Sequence, residues 1–337
     1  MNSYERVMAV LNRSDFDVYP AINPTSVATL SSMQRAQAYL PAAHLSPQRM
    51  ADLASQGHEH FGFDSVMPYF SVLMEASALG VETEWGDANQ TPYARKPCLY
   101  SMDDLHLPAN LFERREFQAI LSACSLLSAR YKGRVAVIGK VVGPWTLAFH
   151  LRGVENLALD VILEPEKTKA FIEELASIPI AFARLQFEAG ADLMTWADHC
   201  TSDLASRQIY ADFLAPVHRR ANRELRQMGP TILHKCGNIM DRIEDISGAG
   251  FSVIHLDSRN DLPEAVRIVG DRALLAGAVN NPFVLAQGSP QDVRREVLAN
   301  IHSGIRLIAP ECAIPCSVSD DNLASLVRTA HQTPGPR

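Results

Sequence analysis

The sequence predicts an α/β protein built as a single (β/α)8 TIM barrel, with a helical segment at the N-terminus and an excursion between strands two and three. Three observations predict this fold. Eight short β-type runs alternate with longer helical patterns. Most of these runs are continuously apolar, as parallel strands buried on both faces are. No linker divides the series, so we expect one domain over residues 1–330 and a flexible tail over 331–337.

The elements follow in order from the N-terminus. The opening MNSYERVMAVLNRSD has the apolar spacing of an amphipathic helix. The predicted strands are 18–23, 64–70, 134–142, 191–198, 230–237, 251–257, 272–279 and 305–312. The helix before the eighth strand should begin at Ser289 as N-cap, with Pro290 at its first position. Residues 71–133 are too many for one helix and its loops, so we expect them to cover one rim of the barrel.

An open, doubly wound sheet is the alternative architecture. Sheets of that kind usually carry a glycine-rich phosphate loop at the start of a helix. Neither GxGxxG nor GxxxxGK[ST] occurs in this sequence. The barrel is therefore the favoured prediction.

Composition narrows the classes of function. The 337 residues are 47% hydrophobic and 20% charged, which is enough for a sizeable core, and the net charge is −7. No basic block is present, so we expect no nucleic-acid partner. Glu5 and Arg6 interrupt the start too early for a secretory signal, and no apolar run reaches the ~18–20 residues of a membrane span. We expect a cytoplasmic protein whose six cysteines are free or metal-bound.

His234 and Cys236 lie two residues apart in the segment TILHKCGNIM (231–240). Residues i and i+2 of a strand point the same way, so both side chains should project from the carboxyl end of the fifth predicted strand. In a barrel this end carries the active site. An imidazole and a thiolate in this arrangement can chelate one zinc ion. An isolated His-x-Cys is equally compatible with a buried cysteine and a structural histidine.

A third ligand would distinguish a zinc site from a buried cysteine beside a structural histidine. Cys312 ends the last predicted strand on the same face of the barrel. One histidine and two cysteines with an open fourth position are typical of a catalytic zinc site. Cys316, which follows Pro315, is either a substitute ligand or a loop thiol. We expect Cys312 to be the ligand because it terminates a strand.

Nearly the whole chain resembles the uroporphyrinogen decarboxylase superfamily, specifically its methylcobamide:thiol methyltransferase branch. The resemblance is carried by ERVMAVLNR, GPWTLAFHLRG (143–153), ADLMTWADHCTSDLAS (191–206), ILHKCGN (232–238) and LIAPECAIP (307–315). The last two stretches resemble the branch's His-x-Cys…Cys zinc signature, which maps onto His234, Cys236 and Cys312. Two positions depart from the pattern: Cys316 stands in place of proline and Ala278 in place of asparagine.

The resemblance implies a zinc-dependent barrel enzyme that moves a methyl group between a methylcobamide and a small thiol such as coenzyme M. The corrinoid should arrive on a corrinoid protein or as free cobalamin, because the chain lacks the cobalt-ligating pattern D-x-H-x-x-G. One alternative is a methyltransferase that demethylates an ether, thioether or amine to load a corrinoid. The other is a uroporphyrinogen decarboxylase, which needs arginines near the N-terminus; residues 14–34 contain none.

Two carboxylates are candidate catalytic residues. Asp198 ends the fourth predicted strand and either orients His234, contacts the substrate, or caps the next helix. Glu75 lies in the family-like segment MEASALG and either faces the barrel mouth or is a solvated helix residue. His199 follows Asp198 directly and should point away from it.

Overall fold

The structure is a computed structural model that describes residues 1–336. Its centre is a curled parallel sheet, and a small antiparallel hairpin lies outside it. The strands in residues 1–336 are β1 (Ser65–Val66), β2 (Thr83–Glu84), β3 (Tyr93–Ala94), β4 (Ala136–Val142), β5 (Leu193–Ala197), β6 (Thr231–His234), β7 (Val253–His255), β8 (Leu274–Val279) and β9 (Leu307–Pro310). The sheet order is β1-β4-β5-β6-β7-β8-β9, with every neighbouring pair parallel, and β2 pairs with β3.

Helices alternate with these strands. They are α1 (Ser3–Leu11), α2 (Leu30–Ala36), α3 (Pro47–Glu59), α4 (Met74–Ala78), α5 (Arg115–Tyr131), α6 (Pro144–Arg152), α7 (Val154–Leu163), α8 (Pro165–Glu188), α9 (Arg207–Ile209), α10 (Ala215–Leu225), α11 (Ile243–Ser247), α12 (Leu262–Val269), α13 (Pro290–His302) and α14 (Asp320–Gln332). Single turns of 3-10 helix occur at Ala42–His44, Met102–Asp104, Leu111–Glu113, Met240–Arg242 and Gly270–Arg272, and π-helical turns at Tyr210–Leu214 and Asn281–Leu285. The predicted start of the last barrel helix is confirmed, since the Ser289 side chain accepts from the Asp292 N–H and Pro290 is the first residue of α13.

The predicted first strand, 18–23, does not form a regular strand, but the segment lies where the prediction placed it, between the two edge strands of the sheet. Ala21 makes a single parallel bridge with Ile308 of β9, and the Ile22 N–H donates to the Ile308 carbonyl at 2.8 Å. On the other side, the Asp64 N–H donates to the Ala21 carbonyl at 2.7 Å. The segment therefore joins the two edges of the seven-stranded sheet and completes the circle without forming an eighth strand.

Side chains take the hydrogen bonds that an eighth strand would need. Pro20 has no backbone N–H. The Ala21 N–H donates to the Asp64 carboxylate at 2.8 Å, and the Asn23 N–H donates to the Ser65 hydroxyl at 2.9 Å. Because these donors are engaged by side chains, a regular ladder cannot extend along this segment.

The long insertion between the first two sheet strands is confirmed as more than one helix. It contains α4, the β2–β3 hairpin and α5, which packs on α3 and β4. In the hairpin, Thr83 pairs with Ala94 and Glu84 with Tyr93. The turn of this hairpin contributes to a cleft beside the last strand of the barrel.

The C-terminal segment differs from the flexible tail that was predicted from residue 331. Helix α14 continues to Gln332, Pro334 forms an antiparallel bridge with Val18, and the Gly335 N–H donates to the Asp17 carbonyl at 2.9 Å. These backbone contacts attach the segment to the N-terminal region. Residue 337 lies outside the described residues. No helix in residues 1–336 has the length and apolar character needed to cross a membrane.

Candidate active site

Parallel strand pairing brings the predicted zinc ligands to one end of the barrel. His234 is the last residue of β6 and lies in register with Ala197 of β5 and His255 of β7. Cys236 follows two residues later, and Cys312 lies two residues beyond the end of β9. All of these positions are at the carboxyl ends of the strands, the end of a barrel that carries its reactive groups.

A glycine sets the direction of the chain just after Cys236. Gly237 has φ +137°, a conformation that L side chains rarely adopt, and a Cβ there would come within 2.9 Å of Thr201. The chain can therefore turn away from the barrel mouth immediately after it has delivered Cys236. This explains why glycine follows Cys236 directly in the sequence His-Lys-Cys-Gly.

The structure places Cys312 next to both of the other predicted ligands. Its Sγ lies 3.4 Å from His234 Nε2. The thiols of Cys312 and Cys236 are near enough for each to shift the pKa of the other. The imidazole is buried, whereas both cysteines are half-buried. Within residues 1–336, no three or more His, Cys, Asp or Glu side chains are grouped so that, as placed, they could hold a metal ion.

The protonation states of this cluster follow from burial and from its neighbours. The hydrogen bond from Cys236 lowers the pKa of the Cys312 thiol, and the same contact together with burial raises the pKa of Cys236. Cys312 is therefore the first of the pair to become a thiolate. Burial, reinforced by the neighbouring histidines and lysines, holds the pKa of His234 well below its ordinary value. The imidazole is neutral at physiological pH.

This donor set fits a zinc ion. A neutral imidazole and two thiolates are the ligand types that zinc prefers, and His234 presents Nε2 toward the sulfur of Cys312. Its other nitrogen, Nδ1, is buried and has no hydrogen-bond partner in residues 1–336. The chemistry of these three donors therefore suits zinc, although their positions in this structure do not form a metal site.

Two further histidines flank His234, and sequence reasoning missed both. The ring centroid of His255 lies 4.7 Å from that of His234, and the His255 Nε2–H donates to the Pro310 carbonyl at 2.8 Å. The His199 ring lies 5.3 Å from His234, and its Nδ1 accepts from the Cys236 N–H at 3.1 Å. His199 was predicted only to point away from Asp198, and the two side chains do have different partners; its place beside His234 was not predicted.

Asp198 does not orient His234, which corrects one of the roles predicted for it. Its Oδ1 accepts from the N–H of Thr146 at 2.9 Å and from the Thr146 hydroxyl at 3.2 Å, while Oδ2 lies 2.9 Å from His218 Nε2. The carboxylate caps the first turn of α6, a helix that follows the neighbouring strand β4, rather than the helix that follows Asp198 itself. Gly143 is required there, because an added Cβ would overlap the Asp198 side chain.

Glu75 is fully buried, so the alternative of a solvated helix residue is wrong. It accepts hydrogen bonds from the Tyr69 hydroxyl and, at 2.9 Å, from the Val142 N–H. Burial raises the pKa of this carboxyl to about 7. A carboxyl in this state can hold or release a proton near neutral pH.

Lys140 also lies at this site, and it was not among the residues predicted from the sequence. It lies in β4, is almost fully buried, and its Nζ is 5.1 Å from the centroid of the Tyr69 ring. Burial lowers the pKa of Lys140, whereas the charges of Cys312, Glu75 and Cys236 act in the opposite direction. A lysine inside the apolar run RVAVIGKVV was a visible signal, because a buried cation needs a specific reason.

Asp257 and Cys316 complete the surroundings of the cysteines. Asp257 accepts from Arg259 Nε at 3.1 Å and Nη2 at 2.9 Å, and the Arg259 contacts, with a smaller effect of the Cys236 thiol, lower the pKa of its carboxyl. Cys316 instead lines a separate cleft beside the mouth and packs against the small apolar cluster around Ala28 and Met33. Of the two cysteines that competed in the sequence, Cys312 is the one that contacts His234.

Residues 2–333 match the family model described as uroporphyrinogen decarboxylase (URO-D). The chain belongs to the uroporphyrinogen decarboxylase family. The match spans almost the whole sequence, so the family assignment covers the barrel and every residue of the cluster described above. The resemblance predicted from the sequence is confirmed.

Within this family, the chain is similar to methyltransferases. It is 29% identical to a methylated-thiol–coenzyme M methyltransferase of Methanosarcina mazei, over 100% of this chain and 91% of the relative. It is 28% identical to the methylcobamide:CoM methyltransferase MtbA of Methanosarcina acetivorans, over 97% and 96% of the two chains. A solved methyltransferase structure from Methanosarcina mazei superposes with a TM-score of 0.94 at 25% identity, covering 98% of this family member and 99% of that chain.

Proposed function

We propose that this family member transfers a methyl group from a methylcobamide to a small thiol, with zinc held by His234, Cys236 and Cys312. The observation that carries the proposal is the 3.4 Å contact between His234 Nε2 and Cys312 Sγ, with the Cys236 thiol near enough to affect the pKa of Cys312, at the carboxyl ends of the strands. Similarity to methylcobamide:CoM methyltransferases over nearly the full length of both chains supports it. We propose that the enzyme works in the cytoplasm.

Zinc, when bound, would keep the acceptor thiol deprotonated, because a thiol coordinated to zinc loses its proton near neutral pH. The ligand set would carry no net charge before the acceptor arrives, since two thiolates balance the metal and His234 is neutral. The acceptor sulfur would then remain electron-rich.

The transfer itself needs only an oriented sulfur and a methyl group. The acceptor sulfur would attack the methyl carbon bound to Co(III), forming a sulfur–carbon bond as the cobalt–carbon bond breaks. The electron pair of the broken bond would stay on cobalt as Co(I), and the proton of the thiol would already have left to solvent. Residues of this chain would provide orientation and a low-dielectric surrounding.

The buried polar residues around the sulfurs have roles in this scheme. The Lys140 ammonium would offset the negative charge that accumulates when a third sulfur joins Cys236 and Cys312. We propose Glu75, with Tyr69 donating to it, as the group that holds or releases a proton beside this site. Asp198 is proposed to act at a distance, by fixing the start of α6 and the backbone that leads to His199.

The arginines that bracket the N-terminal segment do not favour porphyrinogen decarboxylation. Arg13 and Arg35 are the nearest arginines on either side of residues 14–34. Arg13 pairs with Asp271 at 3.2 Å, and Arg35 pairs with Asp320 at 2.6 Å. Both guanidinium groups are already neutralised by carboxylates, which leaves them poorly suited to hold a polycarboxylate substrate.

A direct test combines metal analysis with methyl transfer. Zinc-loaded protein is mixed with methylcobalamin and a small thiol, and the appearance of cob(I)alamin or cob(II)alamin is followed by absorption. We expect about one zinc per chain and thiol-dependent demethylation, both lost in Cys312→Ser and both retained in Cys316→Ser.

X-ray absorption at zinc separates the two directions of methyl transfer. Thiol addition should place one extra sulfur at ~2.3 Å from zinc in X-ray absorption spectra. If no thiol adds a sulfur ligand while an ether, thioether or amine adds its own donor atom, the protein loads the corrinoid instead. Full zinc occupancy in Cys312→Ser would refute the ligand set.

A further inference from the structure

A cleft of about 690 Å³ opens beside the cysteines and takes no part in the metal site described above. Its lining includes residues 313–317, which follow Cys312 directly, and residues 89–93 of the hairpin. Ser26, Ala28, Leu40 and Phe70 also line it. Its size is that of an organic ligand site rather than of a water pocket.

The lining of this cleft is uncharged. Among the described residues that line it there is no Asp, Glu, Lys, Arg or His. The surface combines apolar groups such as Phe70 and Ile314 with the amides of Asn89 and Gln90 and the hydroxyl of Ser317. An anionic ligand would find no cation here, and an apolar ligand would leave the amides without partners.

The two amides are available for a ligand. Asn89 and Gln90 are exposed, and their side chains make no hydrogen bond within residues 1–336. Their backbone is nevertheless fixed, because Asp87 accepts from the Asn89 N–H at 2.7 Å and from the Gln90 N–H at 3.3 Å. An amide presented on a fixed turn costs less entropy to engage than one on a mobile loop.

Contacts within the hairpin and beyond it hold its conformation. Within it, Arg95 bridges Glu82 at 3.2 Å and Glu84 at 2.6 Å across the strands. Beyond it, the ring of Trp85 lies 5.2 Å from the buried ring of His44. The wall that carries the amides is therefore part of the folded protein.

We propose that this cleft binds the amide-fringed edge of the corrin ring and so positions the methyl group over the Cys312 side of the mouth. The inference rests on the proposed function for the presence of a methylcobamide. A corrin ring combines a broad apolar face with uncharged acetamide and propionamide groups at its periphery, and this is the chemistry that the cleft complements. Asn89 and Gln90 would exchange hydrogen bonds with those amides, and Phe70 would contact the ring.

Position supports the assignment as well as chemistry. Ala313 lines the cleft and is bonded directly to Cys312, so a ring held there would lie adjacent to the sulfur cluster. The small thiol needs only the space around the metal ligands. The two substrates would thus approach from different parts of the mouth, as a direct transfer between them requires.

The test measures binding of methylcobalamin to full-length protein by equilibrium dialysis, without any thiol. We expect the double variant Asn89→Ala/Gln90→Ala to bind about 10- to 30-fold more weakly, since two hydrogen bonds are lost. Ser317→Trp, which fills the cleft from an exposed position, should reduce binding further. Asn110→Ala, which removes an equally exposed amide outside the cleft, should bind as the parent does.

The outcomes separate this inference from the proposed function. Equal methylcobalamin binding by the parent, the double variant and Ser317→Trp would overturn the cleft assignment, even where methyl transfer persists. Loss of thiol binding with unchanged methylcobalamin binding would assign the cleft to the acceptor and also overturn it. Failure of the parent to bind methylcobalamin or to demethylate it would refute both proposals. Cys312→Ser should keep methylcobalamin binding while losing transfer.

Discussion

The two ends of the barrel treat buried polar groups differently. At the amino end of β1, the buried Asp64 carboxylate is satisfied: it accepts from Arg6 at 2.6 Å, from the Ala21 N–H at 2.8 Å and from His331 at 2.8 Å. At the carboxyl ends, His234 Nδ1 and His255 Nδ1 are buried without a hydrogen-bond partner in residues 1–336. Leaving buried polar atoms unpaired costs free energy. The difference indicates that one end is built for stability and the other for binding.

The largest expected effect is on function, at the carboxyl end. Cys236→Ala should remove most of the zinc and reduce methyl transfer by at least about 100-fold, because the site loses one of three protein ligands. The metal-free variant should unfold at nearly the same denaturant concentration as the metal-free parent, since Cys236 is only half-buried. Metal analysis and a urea titration check both statements. A variant that keeps full zinc would contradict the assignment.

The opposite pattern is expected at the amino end. Asp64→Ala should lower the free energy of unfolding by roughly 3–5 kcal/mol, because it leaves a partly buried Arg6 without one of its carboxylates and removes two further hydrogen bonds. Zinc content and methyl transfer should be unchanged under conditions where the variant remains folded.

Asp271→Ala provides the control for this change. It breaks an exposed ion pair with Arg13 at the same end of the barrel and should cost less than about 1 kcal/mol. If Asp64→Ala were no more destabilising than Asp271→Ala, the satisfied network would not be the source of stability at this end.

The sequence predicted the barrel and the three clustered side chains because both depend on regular strands. His234 and Cys236 share a face by the period of two, and Cys312 follows a strand whose apolar run is unmistakable. The same rule separated His199 from Asp198, whose side chains have different partners, but it did not show that His199 lies beside His234. Glu75 was a candidate from the sequence, but the sequence could not decide between a buried and a solvated environment, because its hydrogen bonds to Tyr69 and to the backbone of Val142 depend on the fold.

A pH-dependent effect is expected from Glu75. Its pKa is raised by burial from 4.5 to about 7, so between these values the folded protein holds a proton that the unfolded chain has lost. Stability contributed through this group is therefore lost as pH rises across that window, at up to about 1.4 kcal/mol per pH unit. Glu75→Gln removes this dependence, so relative to the parent the variant should gain stability from pH 5 to pH 7.

Urea unfolding at several pH values measures this gain. Exposed Glu155→Gln serves as control and should show no comparable trend. A constant difference between parent and Glu75→Gln from pH 5 to pH 7 would mean that Glu75 is ionised throughout, and it would remove this residue as a group that exchanges a proton near neutral pH.

The smallest expected effect compares two buried lysines. Lys140 faces the cysteines, whereas Lys235 lies with its Nζ 5.2 Å from the centroid of the Tyr210 ring and acts on Asp198 and Cys200 instead. The positive charge of Lys140 lowers the pKa of the Cys312 thiol, in addition to the effect of Cys236.

In metal-free protein, Lys140→Met should therefore slow alkylation of Cys312 near neutral pH by roughly 3- to 10-fold, because the thiolate is the reactive form. Lys235→Met, which removes an equally buried cation, should leave the rate nearly unchanged. The difference should disappear at a pH high enough to ionise Cys312 in every variant, which a general loosening of the structure would not produce. Mass spectrometry of the alkylated peptide containing Cys312 follows the rate, and equal slowing by both substitutions would show that the charge of Lys140 has no specific role at the carboxyl end.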